Sequence, residues 1–200
     1  MTAEVFASAA AAFARLVRAL ATFDGPGLGD WDLRALVGHT SRSLVTVSTY
    51  VHTPAETADL ADAVDYYAAV REHLAGADAA GVIERGVQAG LALGDDPAGE
   101  VDRLVAQALS DIDGVGDPII KVFGGHGIRL SDYLDTRIFE LAVHSLDISR
   151  ATGVPAGLPA DVLSSATLLA ASTAARFGDG EALLLALTGR APLPDGYSVV

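Results

Sequence analysis

Apolar residues recur at intervals of three and four over most of the chain, the spacing of helices that bury one face. Val5, Phe6, Ala9, Phe13, Leu16, Val17 and Leu20 follow it, which predicts a first helix over Thr2–Phe23. The stretch Asp24–Asp30, DGPGLGD, breaks the pattern, and Asp30 is placed to cap a second helix starting at Trp31. That helix runs to Val51 with Leu33, Leu36, Val37, Leu44, Val47 and Val51 on one face, and Pro54 ends it. Further helices are predicted over Ala58–Ala75, Ala79–Leu93 and Ala98–Ile112. A turn at Asp113–Pro118 leads into IIKVFGGHGIRL, which predicts a short extended piece and then a Gly-rich loop at Gly124–Leu130. Ser131 is placed to cap a long helix that ends at Thr152, where Gly153, Pro155, Gly157 and Pro159 punctuate the chain. Two last helices are predicted over Ala160–Phe177 and Gly180–Thr188. No repeat or low-complexity linker interrupts the series, so the expectation is one all-α bundle domain over residues 1–200.

The long helix departs from the others. On a wheel, Leu134, Ile138, Phe139, Leu141, Ala142, Val143, Leu146 and Ile148 fill about two-thirds of the circumference. Thr136, Arg137, Glu140, His144 and Asp147 share the rest. So wide an apolar arc implies enclosure by neighbouring helices, and the polar third then faces a strip of water or an internal cavity. Glu140 and His144, four apart, sit one turn above each other and can chelate one cation. The spacing alone is common in surface helices and leaves the solvated stripe open.

Composition narrows the chemistry. A net charge of −13 opposes nucleic-acid binding, which needs a basic surface. No apolar run is long enough to span a membrane. The Ala-rich start carries Glu4, Arg15 and Arg18 where a signal peptide needs an apolar stretch, so a cytoplasmic protein is expected. There is no cysteine, so any metal must be held by His and carboxylate, and any thiol chemistry needs a thiol from outside.

A third ligand for the Glu140–His144 pair has to come from another helix. His39 lies beside the apolar face of the second helix, with the small residues Ser43 and Thr46 on the next turns, leaving space for an ion or ligand. By itself it reads equally well as a hydrogen-bonded imidazole at the core edge. His52 before Pro54 and His73 in a charged patch are expected to be solvated, and His126, in GGHGI, belongs either to a loop over a pocket or to a surface turn.

GDWDLRALVGHTSRS (Gly29–Ser43) resembles the W-x(7)-H helix of the mycothiol-dependent maleylpyruvate isomerase metal-binding domains, in the wider DinB/YfiT-like superfamily. DYLDTRIFELAVHSLDISRATG (Asp132–Gly153) is similar to the second signature of that family, with Arg137, Glu140, His144 and Asp147 in place. EALLLALTGRAPLPDGYSVV (Glu181–Val200) is similar to the tail that closes such domains. The resemblance implies a DinB/YfiT-like four-helix bundle with additional short helices, and metal ligands at His39, Glu140 and His144. Two imidazoles and one carboxylate suit Zn²⁺, with Ni²⁺ or another divalent first-row ion as alternatives. The resemblance further implies a metal-dependent isomerase or S-transferase that uses mycothiol on a small electrophilic substrate. The competing readings are a non-catalytic metal- or thiol-binding module and a metal-assisted hydrolase. Arg137 is expected to pair with Glu140, or else to meet an anionic substrate. Asp147 can hydrogen-bond a ligand imidazole or Arg137, or remain a free carboxylate. Exposed Ala-rich faces are where two copies would form a homodimer. The second, SCP2-like α/β domain of the family's isomerases is not expected in this chain.

Overall fold

A computed structural model describes residues 2–74 and 79–199. Its helices are α1 (Thr2–Arg18), α2 (Leu33–Tyr50), α3 (Ala63–Leu74), α4 (Ala79–Ala92), α5 (Pro97–Ile112), α6 (Leu130–Thr152), α7 (Ala160–Arg176) and α8 (Gly180–Leu187). Between α5 and α6 lies a hairpin of β1 (Ile119–Lys121) and β2 (Gly127–Arg129), antiparallel, with Ile120 opposite Ile128.

Four long helices close a ring: α1 packs on α5 and α6, and α2 packs on the same two. This is the expected four-helix bundle. Phe6, Phe13, Leu36, Leu44, Ile138, Leu141 and Ile148 fill its centre without solvent contact, the burial that drives folding. The additional elements sit outside the ring: α4 against α2, α3 and α7 against α6, and α8 against α7.

Several boundaries differ from the sequence reading, each for a local reason. The first helix stops at Arg18 rather than Phe23, and beyond it Thr22 and Asp24 hydrogen-bond each other, an alternative to the helical ladder. The cap of α2 is Asp32, not Asp30: its carboxylate accepts from Ala35 N at 2.7 Å, so Trp31 lies ahead of the helix. The third helix begins at Ala63 instead of Ala58, because Leu60 N and the Asp59 backbone and carboxylate are spent on Gly127 of the hairpin. Asp62 then caps the helix by accepting from Val64 N and Asp65 N. Its expected end, Ala75, lies outside the described residues.

The Gly-rich segment is half strand. Gly124 and Gly125, at φ 65° and 84°, make the turn that returns the chain as β2. Ser131 does not cap α6. The helix starts at Leu130, and Asp117 from across the hairpin accepts from both the Ser131 amide and hydroxyl. At the other end Gly153, at φ 75°, closes α6 as expected.

Candidate metal centre

The polar third of α6 faces inward. Thr136 has no solvent exposure, while Leu146, placed on the apolar arc by the wheel, is 44% exposed. The helix turns its charged stripe toward α2 and α3 because those neighbours supply partners for it. His39 on α2, Glu140 and His144 each bring one ligand-capable atom to a common point, all within 4.8 Å of one another. The two imidazole rings meet edge to face, with centroids 4.9 Å apart at 86°.

Each of the three groups has a distinct surrounding. Glu140 accepts a hydrogen bond at Oε1 from the Tyr67 hydroxyl, 2.8 Å away, and its Oε2 lies 3.3 Å from His144 Nε2. The other nitrogen of His144, Nδ1, lies 3.1 Å from Asp147 Oδ2. His39 Nδ1 is buried and has no hydrogen-bond partner among the described residues. One face of the His39 ring lies against Trp31, with centroids 4.4 Å apart and the planes 33° from parallel.

These surroundings set the charges. Burial lowers His39 to about 4, helped by the neighbouring His144 cation, so this imidazole is neutral at pH 7. Burial also works to lower His144, but the hydrogen bonds to Asp147 and Glu140 outweigh it and push the group up to about 9. For Glu140, burial works upward, yet the His144 hydrogen bond and the Arg137 charge hold it down at about 2. Glu140 and His144 therefore form a carboxylate–imidazolium pair beside a neutral imidazole, with Asp147 on the other nitrogen of the His144 ring.

Arg137 does not pair with Glu140. Its Nε donates to Thr136 Oγ1 at 3.0 Å and an Nη donates to the Tyr66 hydroxyl at 3.2 Å. The guanidinium packs over the rings of Tyr133 and Tyr66, 5.0 and 5.4 Å from their centroids. Among the described residues it forms no ion pair, and its influence on Glu140 acts through space.

The remaining histidines stay apart from this cluster. His52 is largely exposed, 3.6 Å from Asp111, and His73 is exposed as expected. His126 packs beside Phe123 in the hairpin turn, where Tyr66 and His73 also meet that ring. Ser43 is buried, and the Thr46 hydroxyl is committed to the Arg42 carbonyl on its own helix. Tyr67 is the neighbour that sequence reasoning missed. A tyrosine at helical spacing among apolar residues reads as core, and only the packing of α3 on α6 brings its hydroxyl to Glu140.

The arrangement offers two nitrogens and one carboxylate oxygen, the donor set of an open, reactive divalent-metal site rather than a closed structural one. The orphaned His39 nitrogen fits this, because a buried polar atom without a partner is costly unless something satisfies it. A family described as the mycothiol maleylpyruvate isomerase N-terminal domain matches residues 6–149, a span that holds all three groups. Searches of curated proteins and of solved structures found no match.

Proposed function

The chain belongs to the mycothiol maleylpyruvate isomerase N-terminal domain family, and on that premise we propose that it is a metal-dependent thiol-using enzyme. In this reading His39, Glu140 and His144 hold a divalent cation, Zn²⁺ first among the candidates. A low-molecular-weight thiol such as mycothiol then adds to a small electrophilic substrate beside it. The observation that carries the reading is the convergence of the three groups from two helices about a hundred residues apart.

When bound, the ion supplies Lewis acidity, which lowers the pKa of a thiol placed next to it. The chain's own residues prepare the place. Asp147 holds the His144 ring by its Nδ1, so that Nε2 faces Glu140. Tyr67 occupies one oxygen of Glu140 and leaves the other for coordination. His144 gives up its proton on loading, because an imidazolium cannot ligate. Arg137 keeps a positive charge one turn away, which favours a thiolate over a thiol.

The reaction class balances without a redox partner. The thiol loses a proton, sulfur bonds to the electrophilic carbon, and the displaced electron pair takes up a proton. Keeping the S–C bond gives a transferase product. Rotation about the adjacent C–C bond, followed by loss of the added proton and departure of the thiolate, which takes a proton back up, gives an isomer. The test is the rate of thiol addition to a small electrophile by the zinc-loaded chain with mycothiol supplied. The expected result is acceleration by the wild type and none by His144→Ala. Equal rates in the two proteins would contradict the proposal.

A further inference from the structure

Two of the three groups in the centre are oriented by hydrogen bonds, Glu140 by Tyr67 and His144 by Asp147. The surroundings of His39 are of another kind: its buried Nδ1 has no hydrogen-bond partner among the described residues, and two aromatic rings lie against its own. An imidazole on a helix has two free torsions, and a ligand that is not fixed in both pays ordering entropy when it binds an ion. The two rings against His39 are Trp31, tilted 33° from parallel with centroids 4.4 Å apart, and His144, which meets it edge to face.

Trp31 is anchored far more firmly than a surface aromatic would need to be. Its backbone is tied into the turn before α2, where Trp31 N donates to Leu28 O and Gly27 N donates to Trp31 O, both at 3.0 Å. Its indole Nε1 donates to Ile83 O of α4 at 3.0 Å. The ring sits in a notch on α4 at Gly86, where an added Cβ would lie 2.5 Å from Nε1 and 2.6 Å from Cε2. One turn on, Gly90 makes the same allowance for α2: a Cβ there would fall 2.8 Å from Arg34 O and 3.0 Å from Ala35 Cα. The glycines of α4 thus serve two contacts, one with the α2 backbone and one with the indole.

We infer that Trp31 is a positioning residue for His39: the indole, clamped between the Ile83 carbonyl and the Gly86 notch, fixes the imidazole by stacking where the other two groups are fixed by hydrogen bonds. The role of α4 is then to set the angle of a ligand to which it contributes no atom. This inference rests on the metal-centre reading for its purpose, although the clamp itself is independent of any ion.

The experiment compares wild type, W31L and G86A as full chains, using Co²⁺ in competition with a chelator and the ring signals of His39 in the metal-free protein by NMR. Circular dichroism checks that each variant is folded. In W31L the Co²⁺ affinity is expected to fall on the order of tenfold or more, the cost usual for losing a partner that orients a ligand. The His39 ring signals are expected to lose their indole ring-current shift and broaden, while those of His52 and His126 stay in place. G86A, which displaces the indole and keeps it, is expected to move both readouts in the same direction, and it carries the test if W31L does not fold. Affinity within about twofold of wild type together with unmoved His39 signals in a folded variant would overturn the inference. If the wild type itself binds no Co²⁺, the metal reading fails instead. The His39 signals then decide this inference alone: a shift in the variants supports it and their constancy overturns it.

Discussion

On the α6 side of the centre, Glu140 and His144 are each fixed by a hydrogen bond to a neighbour, and both are charged in the metal-free protein. On the α2 side, His39 is fixed by ring packing, and burial keeps it neutral. The difference separates two ways of presenting a ligand. Hydrogen bonds to carboxylates orient an imidazole and also raise its basicity, so the α6 pair rests as an ion pair that would have to lose a proton before coordinating an ion. Packing orients without adding charge, so His39 is neutral at pH 7, its buried Nδ1 has no partner among the described residues, and it could take an ion without losing a proton. One side carries charge, and the other presents a neutral ring with an unpartnered buried nitrogen.

The largest expected effect comes from breaking either side outright. Glu140→Gln, His144→Ala or His39→Ala each leaves two ligands, and chelator competition with Zn²⁺ should show affinity falling by more than about a hundredfold. Comparable losses from both helices would establish that the two sides serve one ion. A large loss from α6 with none from His39→Ala would show that they do not.

Proton release sharpens the contrast between the sides. Between about pH 4 and 9, loading should expel close to one proton per ion, from His144 and not from His39, so apparent affinity rises about tenfold per pH unit. Calorimetry in two buffers of different ionisation enthalpy measures the count, and His144→Ala should abolish it. The metal-free protein carries the same signature in its stability. Because His144 is raised from 6.5 to about 9, its contribution is complete below pH 6.5 and is lost as pH climbs through 9. His39, lowered from 6.5 to about 4, acts oppositely: its neutral burial costs stability as pH falls from 6.5 through 4. Urea midpoints of wild type against His144→Ala should therefore converge above pH 9 and separate below 6.5.

Smaller effects come from the orienting neighbours. Asp147→Asn, which keeps the shape and removes the charge, is expected to weaken Zn²⁺ by about tenfold and to lower the pH at which His144 deprotonates, followed by NMR titration of that ring. At the small end, His126→Ala on the hairpin should leave Zn²⁺ affinity within about twofold, since that histidine packs on Phe123 and not on the centre.

The α6 side was largely legible in the sequence, because an (i, i+4) spacing on one helix fixes which side chains stand together before any tertiary contact forms. The wheel erred at Leu146, which points to solvent, since periodicity gives the width of an apolar arc and not which neighbours cover it. The α2 side depended on the family resemblance: the position of His39 beside an apolar face suited a core imidazole equally well. Asp32 rather than Asp30 as cap decides that Trp31 precedes the helix, and two candidate caps two residues apart cannot be separated by residue type. Tyr67, the Gly86 notch and the Arg137–Tyr66 contact were beyond the sequence, because each joins residues about fifty to seventy positions apart through the docking of a peripheral helix. The hairpin was half read. Its turn glycines marked a break, while the second strand depends on pairing with the first.

The central claim is that one divalent ion is shared by α2 and α6. X-ray absorption at the zinc edge of the loaded, gel-filtered chain tests it most directly. The expected spectrum has first-shell N/O scatterers at about 2.0–2.1 Å and the outer-shell pattern of two imidazoles, reduced to one in His39→Ala. Zinc lost on filtration, or a two-imidazole pattern that survives in His39→Ala, would contradict it.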